Sequence, residues 1–125
     1  MYSVSVSRTL VAQHYLTVPD PGHEGEPHSH TFSVEATFLG PALDEFGYLV
    51  DIDDFETAMD TTADEFRDEL LNDMPEFDGV NPSAEHLAQT FAGRLRDRVD
   101  PPAATELRID VQEDDTATVG YRTPL

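Results

Sequence analysis

Apolar and polar residues alternate at the start of the chain. Val4, Val6, Leu10 and Ala12 fall on even positions, and Ser3, Ser5, Ser7 and Thr9 on odd ones. Side chains two apart share a face of a strand, so residues 2–16 predict a strand with one buried face, and His14 falls on that face. Arg8 interrupts the apolar series and marks a twist or a pairing partner. Residues 17–27 hold three prolines and two glycines and predict an irregular acidic loop. A second alternating run follows over 28–40, with Phe32, Val34, Ala36 and Phe38 in line with His28 and His30. Two strands joined by such a loop form a wide hairpin, which brings His14 near the other two histidines.

The period then changes. After a turn at Asp44-Glu45-Phe46-Gly47 and a short extended piece over 48–52, Phe55, Ala58, Met59, Thr62, Phe66 and Leu70 recur at spacings of three and four. This predicts a helix capped by Asp53 or Asp54 and running to about Leu71. A loop over 72–81 leads to a second helix near Pro82, capped by Asn81 or Ser83, with Ala84, Leu87, Ala88, Phe91, Leu95 and Val99 as its stripe. Asp100-Pro101-Pro102 ends it. Alternation returns over 105–113, a hairpin-type turn falls at Asp114-Asp115, and a last strand covers 116–122. The order strand, strand, helix, helix, strand, strand predicts a single α+β domain over 1–125, with two helices covering one face of a four-stranded antiparallel sheet. The open edges of such a sheet make strand addition between subunits, and hence a homo-oligomer, an expectation.

Composition narrows the chemistry. The 125 residues carry 26 acidic groups against seven arginines and no lysine, a formal net charge of −19. Charge this dense and this evenly spread opposes compactness unless salt screens it, and it reads as a haloarchaeal-type surface. It would repel nucleic acid and anionic membranes, and no apolar run approaches the ~20 residues of a membrane span. The N-terminal residues hold no basic segment followed by an apolar one, so the expected location is the cytoplasm. Without cysteine, any metal must be held by His, Asp or Glu.

His14, His28 and His30 are the candidate ligands. Three neutral imidazoles with one open position make a catalytic zinc arrangement, and the alternative is a set of surface or hydrogen-bonded histidines. Glu24 and Glu26 in the acidic loop are candidate ligands or bases. His23 and His86 read as surface residues. Glu113 continues an apolar strand face, where a buried carboxylate needs a partner and could accept paired N–H donors from an amino-substituted heterocycle. The simpler reading is that the strand has already reached solvent there.

Together these pieces resemble the 6-pyruvoyl-tetrahydropterin synthase and 6-carboxytetrahydropterin synthase family. Val11-Ala12-Gln13-His14 resembles its first histidine segment, and Pro27-His28-Ser29-His30-Thr31-Phe32 its His-Gly-His strand. Gly47-Tyr48-Leu49-Val50-Asp51-Ile52 is similar to the approach to the first helix. Leu71-Asn72-Asp73 and Asn81-Pro82-Ser83-Ala84-Glu85 are similar to the inter-helix loop and second helix start, and Val111-Gln112-Glu113 to the strand with the pterin-anchoring glutamate. The resemblance implies the tunnelling fold (T-fold, ββααββ), a homo-oligomer that is commonly a hexamer with interface sites, and zinc on His14, His28 and His30. It also implies Glu113 on a pterin and a carbon–oxygen lyase acting on 7,8-dihydroneopterin triphosphate. Three positions depart from the family pattern: Glu24 replaces the catalytic cysteine, Arg67-Asp68 an Asp-His pair, and Ser29 the glycine of His-Gly-His. Some members carry glutamate near the cysteine position and release 6-hydroxymethyl-dihydropterin, a role that falls to Glu24, or to Glu26 if the loop shifts register. The alternative is a zinc- and pterin-binding homologue without catalysis.

Overall fold

A computed structural model describes all residues 1–125. Four strands, β1 (Tyr2–His14), β2 (His28–Gly40), β3 (Glu106–Glu113) and β4 (Ala117–Pro124), form one antiparallel sheet in the order β1-β2-β3-β4. Two helices, α1 (Ile52–Phe66) and α2 (Ala84–Arg96), lie between β2 and β3 in sequence. α1 packs on β1, and α2 packs on β3 and β4. This is the α+β arrangement ββααββ expected from the alternation and its interruption.

The sheet has one dry face because its period-two pattern is consistent across strands. Leu10, Phe32, Val34, Ala36, Phe38, Leu107, Ile109 and Val111 are all buried under the helices. Phe38 meets Phe55 of α1 edge-on at 4.8 Å, and Phe66 of α1 stacks on Phe91 of α2 at 5.5 Å. The opposite face carries small hydroxyls, such as Ser5 hydrogen-bonded to Thr37 across β1 and β2. Arg8, on the helix side, reaches Asp60 of α1 and so is a pairing partner.

Several boundaries differ from the sequence pattern. α1 is capped by Asp51, whose Oδ1 accepts the N–H groups of Asp53 and Asp54. Those two aspartates occupy the first turn, where they complement the helix dipole. α1 stops at Phe66, short of Leu71, because Asp68 takes a left-handed φ of 61° and turns the chain back against β1. There the Asp68 N–H donates to the Val11 carbonyl and the Gln13 N–H donates to the Glu69 carbonyl, which covers the end of the β1 edge. Ser83, not Asn81, caps α2 through the His86 N–H. β1 ends at His14, and residues 48–51 bend instead of extending, with Leu49 and Val50 buried. The proline-rich loop holds a single 3-10 turn over Gly22–Gly25.

No helix is long and apolar enough to cross a membrane.

Candidate metal centre and its cleft

The register of the β1–β2 hairpin builds the site. His14 lies directly across from His28, and Ala12 from His30, so the three histidines occupy one corner of the helix-side face. Phe32, next on that face of β2, pairs with Glu113 of β3, which brings the carboxylate to the same corner. The ring centroids of His14, His28 and His30 are 4.6 to 5.0 Å apart, with the planes strongly inclined to one another.

Each ring is held by its Nδ1. That of His14, which is only 2% exposed, lies 2.8 Å from the Pro82 carbonyl oxygen at the entry to α2. That of His28 lies 2.8 Å from the Glu26 carbonyl oxygen. That of His30 lies 2.6 Å from Asp114 Oδ2. A carbonyl or carboxylate oxygen can only accept, so each ring carries a proton on Nδ1, and the neutral form of each presents a bare Nε2. The three Nε2 atoms are buried and have no hydrogen-bond partner, and the rings together offer one nitrogen each within 4.8 Å of the others. A buried polar atom left unpaired costs about 1–3 kcal/mol, and three converging nitrogens form a donor set that one cation could satisfy.

For His14 the electrostatics favour that neutral form. Burial pushes the His14 pKa down, and His28 and His30 add to that effect, against the opposing pull of the Pro82 carbonyl and Glu113. His14 is therefore held neutral, as a metal ligand must be. The hydrogen bond from His30, joined by one from the Thr31 N–H, holds the Asp114 carboxyl below the usual range. Zinc fits this donor set: three neutral imidazoles with one side open is one of its catalytic arrangements.

The carboxylates are placed unequally. Glu113 keeps to the helix-side face, with Oε1 3.1 Å from His30 Nε2 and 3.7 Å from His14 Nε2. The shorter approach lacks hydrogen-bond geometry, so the His30 nitrogen stays unpaired. Glu24 lines a cleft of about 160 Å³ together with His14, Glu85 and Glu113. The Glu24 carbonyl accepts the Leu16 N–H, which ties the acidic loop back to the end of β1. The Glu26 side chain is exposed and does not line this cleft; its contribution is the carbonyl that holds His28. His23 and His86 are exposed, as expected. Arg67 donates to the Thr9 carbonyl and pairs with Asp64, away from the cleft.

Two supporting residues were given no role of their own from the sequence. Asn72 accepts the Tyr15 N–H and donates to the Tyr15 carbonyl, clamping the backbone next to His14. Asp114 read only as a turn residue.

Comparison with known proteins places this geometry. The sequence profile described as 6-pyruvoyl tetrahydropterin synthase matches residues 3–124. Among curated proteins, none is similar enough in sequence to count as a match. The chain is similar in structure to a Plasmodium vivax 6-pyruvoyltetrahydropterin synthase in which a glutamate described as a catalytic residue is replaced by alanine. That likeness has a TM-score of 0.80 at 13% identity and covers 99% of this chain and 98% of the other. It is also similar to the Caenorhabditis elegans 6-pyruvoyl tetrahydropterin synthase, with a TM-score of 0.76 at 18% identity over 98% and 97% of the two chains. The Plasmodium falciparum enzyme gives a TM-score of 0.77 at 15% identity over 98% and 99%. At these identities the structural likeness establishes the T-fold. With the profile spanning almost the entire chain, this protein belongs to the 6-pyruvoyl tetrahydropterin synthase family of pterin-processing enzymes.

Proposed function

We propose that this protein is a zinc-dependent, homo-oligomeric pterin enzyme, hexameric as is common for the T-fold. It acts on 7,8-dihydroneopterin triphosphate or a close relative by proton abstraction and elimination. The observation that carries the proposal is the convergence of three buried, unpartnered Nε2 atoms beside a cleft lined by three carboxylates, Glu24, Glu85 and Glu113. His14, His28 and His30 would hold the metal. Zinc there would supply a Lewis acid that makes the hydroxyls of the substrate side chain more acidic. Glu113 accepts paired N–H donors of the pterin ring and so orients the side chain toward the histidine corner. Glu24 takes the place of the missing cysteine as the group that moves the proton, and the glutamate described as catalytic in the Plasmodium vivax neighbour supports that assignment. Glu26 is the less favoured base, since its side chain does not line the cleft.

Product analysis decides the matter. Zinc-loaded protein in molar salt is incubated with 7,8-dihydroneopterin triphosphate, wild type beside Glu24→Ala. The expected result is turnover by the wild type, loss of at least a hundredfold in Glu24→Ala, and an unchanged zinc-to-protein ratio in both. Absence of turnover by the wild type counts against catalysis. One observation favours the second reading, a binding protein without catalysis: Arg67 and Asp68 occupy the place of the Asp-His pair and are engaged with β1. Pterin binding without conversion, unaffected by Glu24→Ala, is the result that selects it.

A further inference from the structure

We infer that Asp114 is a positioning residue for the histidine centre, a carboxylate built into the β3–β4 turn that fixes the tautomer and orientation of His30. The inference rests on the metal site proposed above and adds a residue that would touch neither the metal nor the pterin.

The three rings are not supported alike. His14 and His28 lean on neutral backbone carbonyls, of Pro82 and Glu26, whereas His30 leans on a carboxylate oxygen at 2.6 Å. A carboxylate behind a ligating imidazole strengthens the ring as a donor and fixes its orientation, and losing such a support typically costs about 10–100-fold in metal affinity. Asp114 is itself held firmly. Its Oδ1 accepts the Thr31 N–H at 3.1 Å, and its own N–H donates to the Thr31 carbonyl at 2.8 Å. These bonds join the turn to the residue that follows His30 on β2, so the carboxylate moves with the ring it supports. Asp114 takes a left-handed φ of 51°, a conformation that Asp and Asn adopt more readily than other side-chain-bearing residues.

The placement has a second consequence. Asp114 directly follows Glu113, whose Oε1 is 3.1 Å from His30 Nε2. Two adjacent residues at the end of β3 thus address the two nitrogens of one ring, Asp114 at Nδ1 and Glu113 near Nε2. A turn that shifts at Asp114 moves the candidate pterin anchor and the candidate ligand together.

The test compares wild type, Asp114→Ala and Asp115→Ala, the last removing a neighbouring charge on the same turn that makes no hydrogen bond to His30. Zinc affinity is measured by competition with a chromophoric chelator at constant molar salt. The His30 tautomer is read by nitrogen NMR on the metal-free proteins. Asp114→Ala is expected to lose about 10–100-fold in zinc affinity and to show His30 released from the pure Nδ1–H form, while Asp115→Ala changes neither. Asp114→Asn keeps the left-handed preference while removing the charge; it is expected to lose about tenfold and serves where the alanine variant does not fold. Zinc affinity within twofold of wild type in a folded Asp114 variant overturns the inference, as does an equal loss in Asp115→Ala or an unchanged His30 tautomer. A wild type that binds no zinc refutes the metal site itself, which separates the two failures.

Discussion

His28→Ala gives the sharpest separation between a metal centre and a cluster of buried histidines. In the metal-free protein the substitution removes one hydrogen bond, from Nδ1–H to the exposed Glu26 carbonyl, worth about 1 kcal/mol. It also removes one unpaired buried Nε2, whose cost of about 1–3 kcal/mol has the opposite sign. The net is between no change and a gain of about 2 kcal/mol, so the metal-free variant is expected to be at least as stable as wild type. With zinc the balance changes. An ion that binds only the folded state at a thousand times its Kd adds about 4 kcal/mol, which at this chain length is roughly 12–20 °C in Tm, interpolating between shorter and longer domains. Loss of one of three ligands removes most of that shift. The assay is thermal unfolding of both proteins with excess zinc and with excess chelator, at one protein concentration and one molar salt concentration. A zinc-induced shift as large in His28→Ala as in wild type would refute a three-histidine site. His14→Ala behaves differently even without metal, because His14 is buried and its removal leaves the Pro82 carbonyl without its donor and opens a void.

Other consequences follow from the packing and charge around the site. Glu76 is held below the ordinary value of 4.5 by hydrogen bonds from Arg94. Its contribution is therefore full above pH 4.5 and is lost as pH falls through the lower folded-state value. The stability difference between wild type and Glu76→Gln in urea titrations should be below about 1 kcal/mol at neutral pH, because the pair is partly exposed, and should vanish at lower pH. A difference that grows on acidification contradicts the pairing. Gly40→Ala would drive a Cβ into the Ala103 carbonyl oxygen and bring it to 2.8 Å from Leu49 Cδ1. The expected loss is about 1–3 kcal/mol, read as a lower urea midpoint, and an unchanged midpoint would show that the 103–104 segment yields freely. Phe55→Ala deletes a fully buried ring and its edge-on contact with Phe38. It is expected to lose about 3–5 kcal/mol in the same titration.

The strands were legible because only one sheet face is buried, so a period of two runs through Val4 to Ala12 and Phe32 to Phe38. The helical stripes were legible for the matching reason. The end of α1 was not, since Leu70 continues the i, i+4 series and only the return of the chain onto β1 at Asp68 shows where helix gives way. Nor was the cap, because three aspartates in four residues around Ile52 satisfy the same local rule.

At the site, the alternation itself puts His28 and His30 on one face in line with the core residues of β2, and His14 on the matching face of β1. That much follows from the sequence, since strand geometry leaves no other placement once the apolar partners are known. The tertiary structure decided the rest: the register that sets His14 against His28, the placement of Glu24 in the cleft with Glu26 outside it, and the direction of every imidazole nitrogen. The acceptors for His14 and His30 lie 68 and 84 residues further along the chain. A local pattern records which face a side chain takes, because burial acts on each residue in turn. It carries no record of which ring nitrogen is free, because that depends on an oxygen delivered by a distant segment.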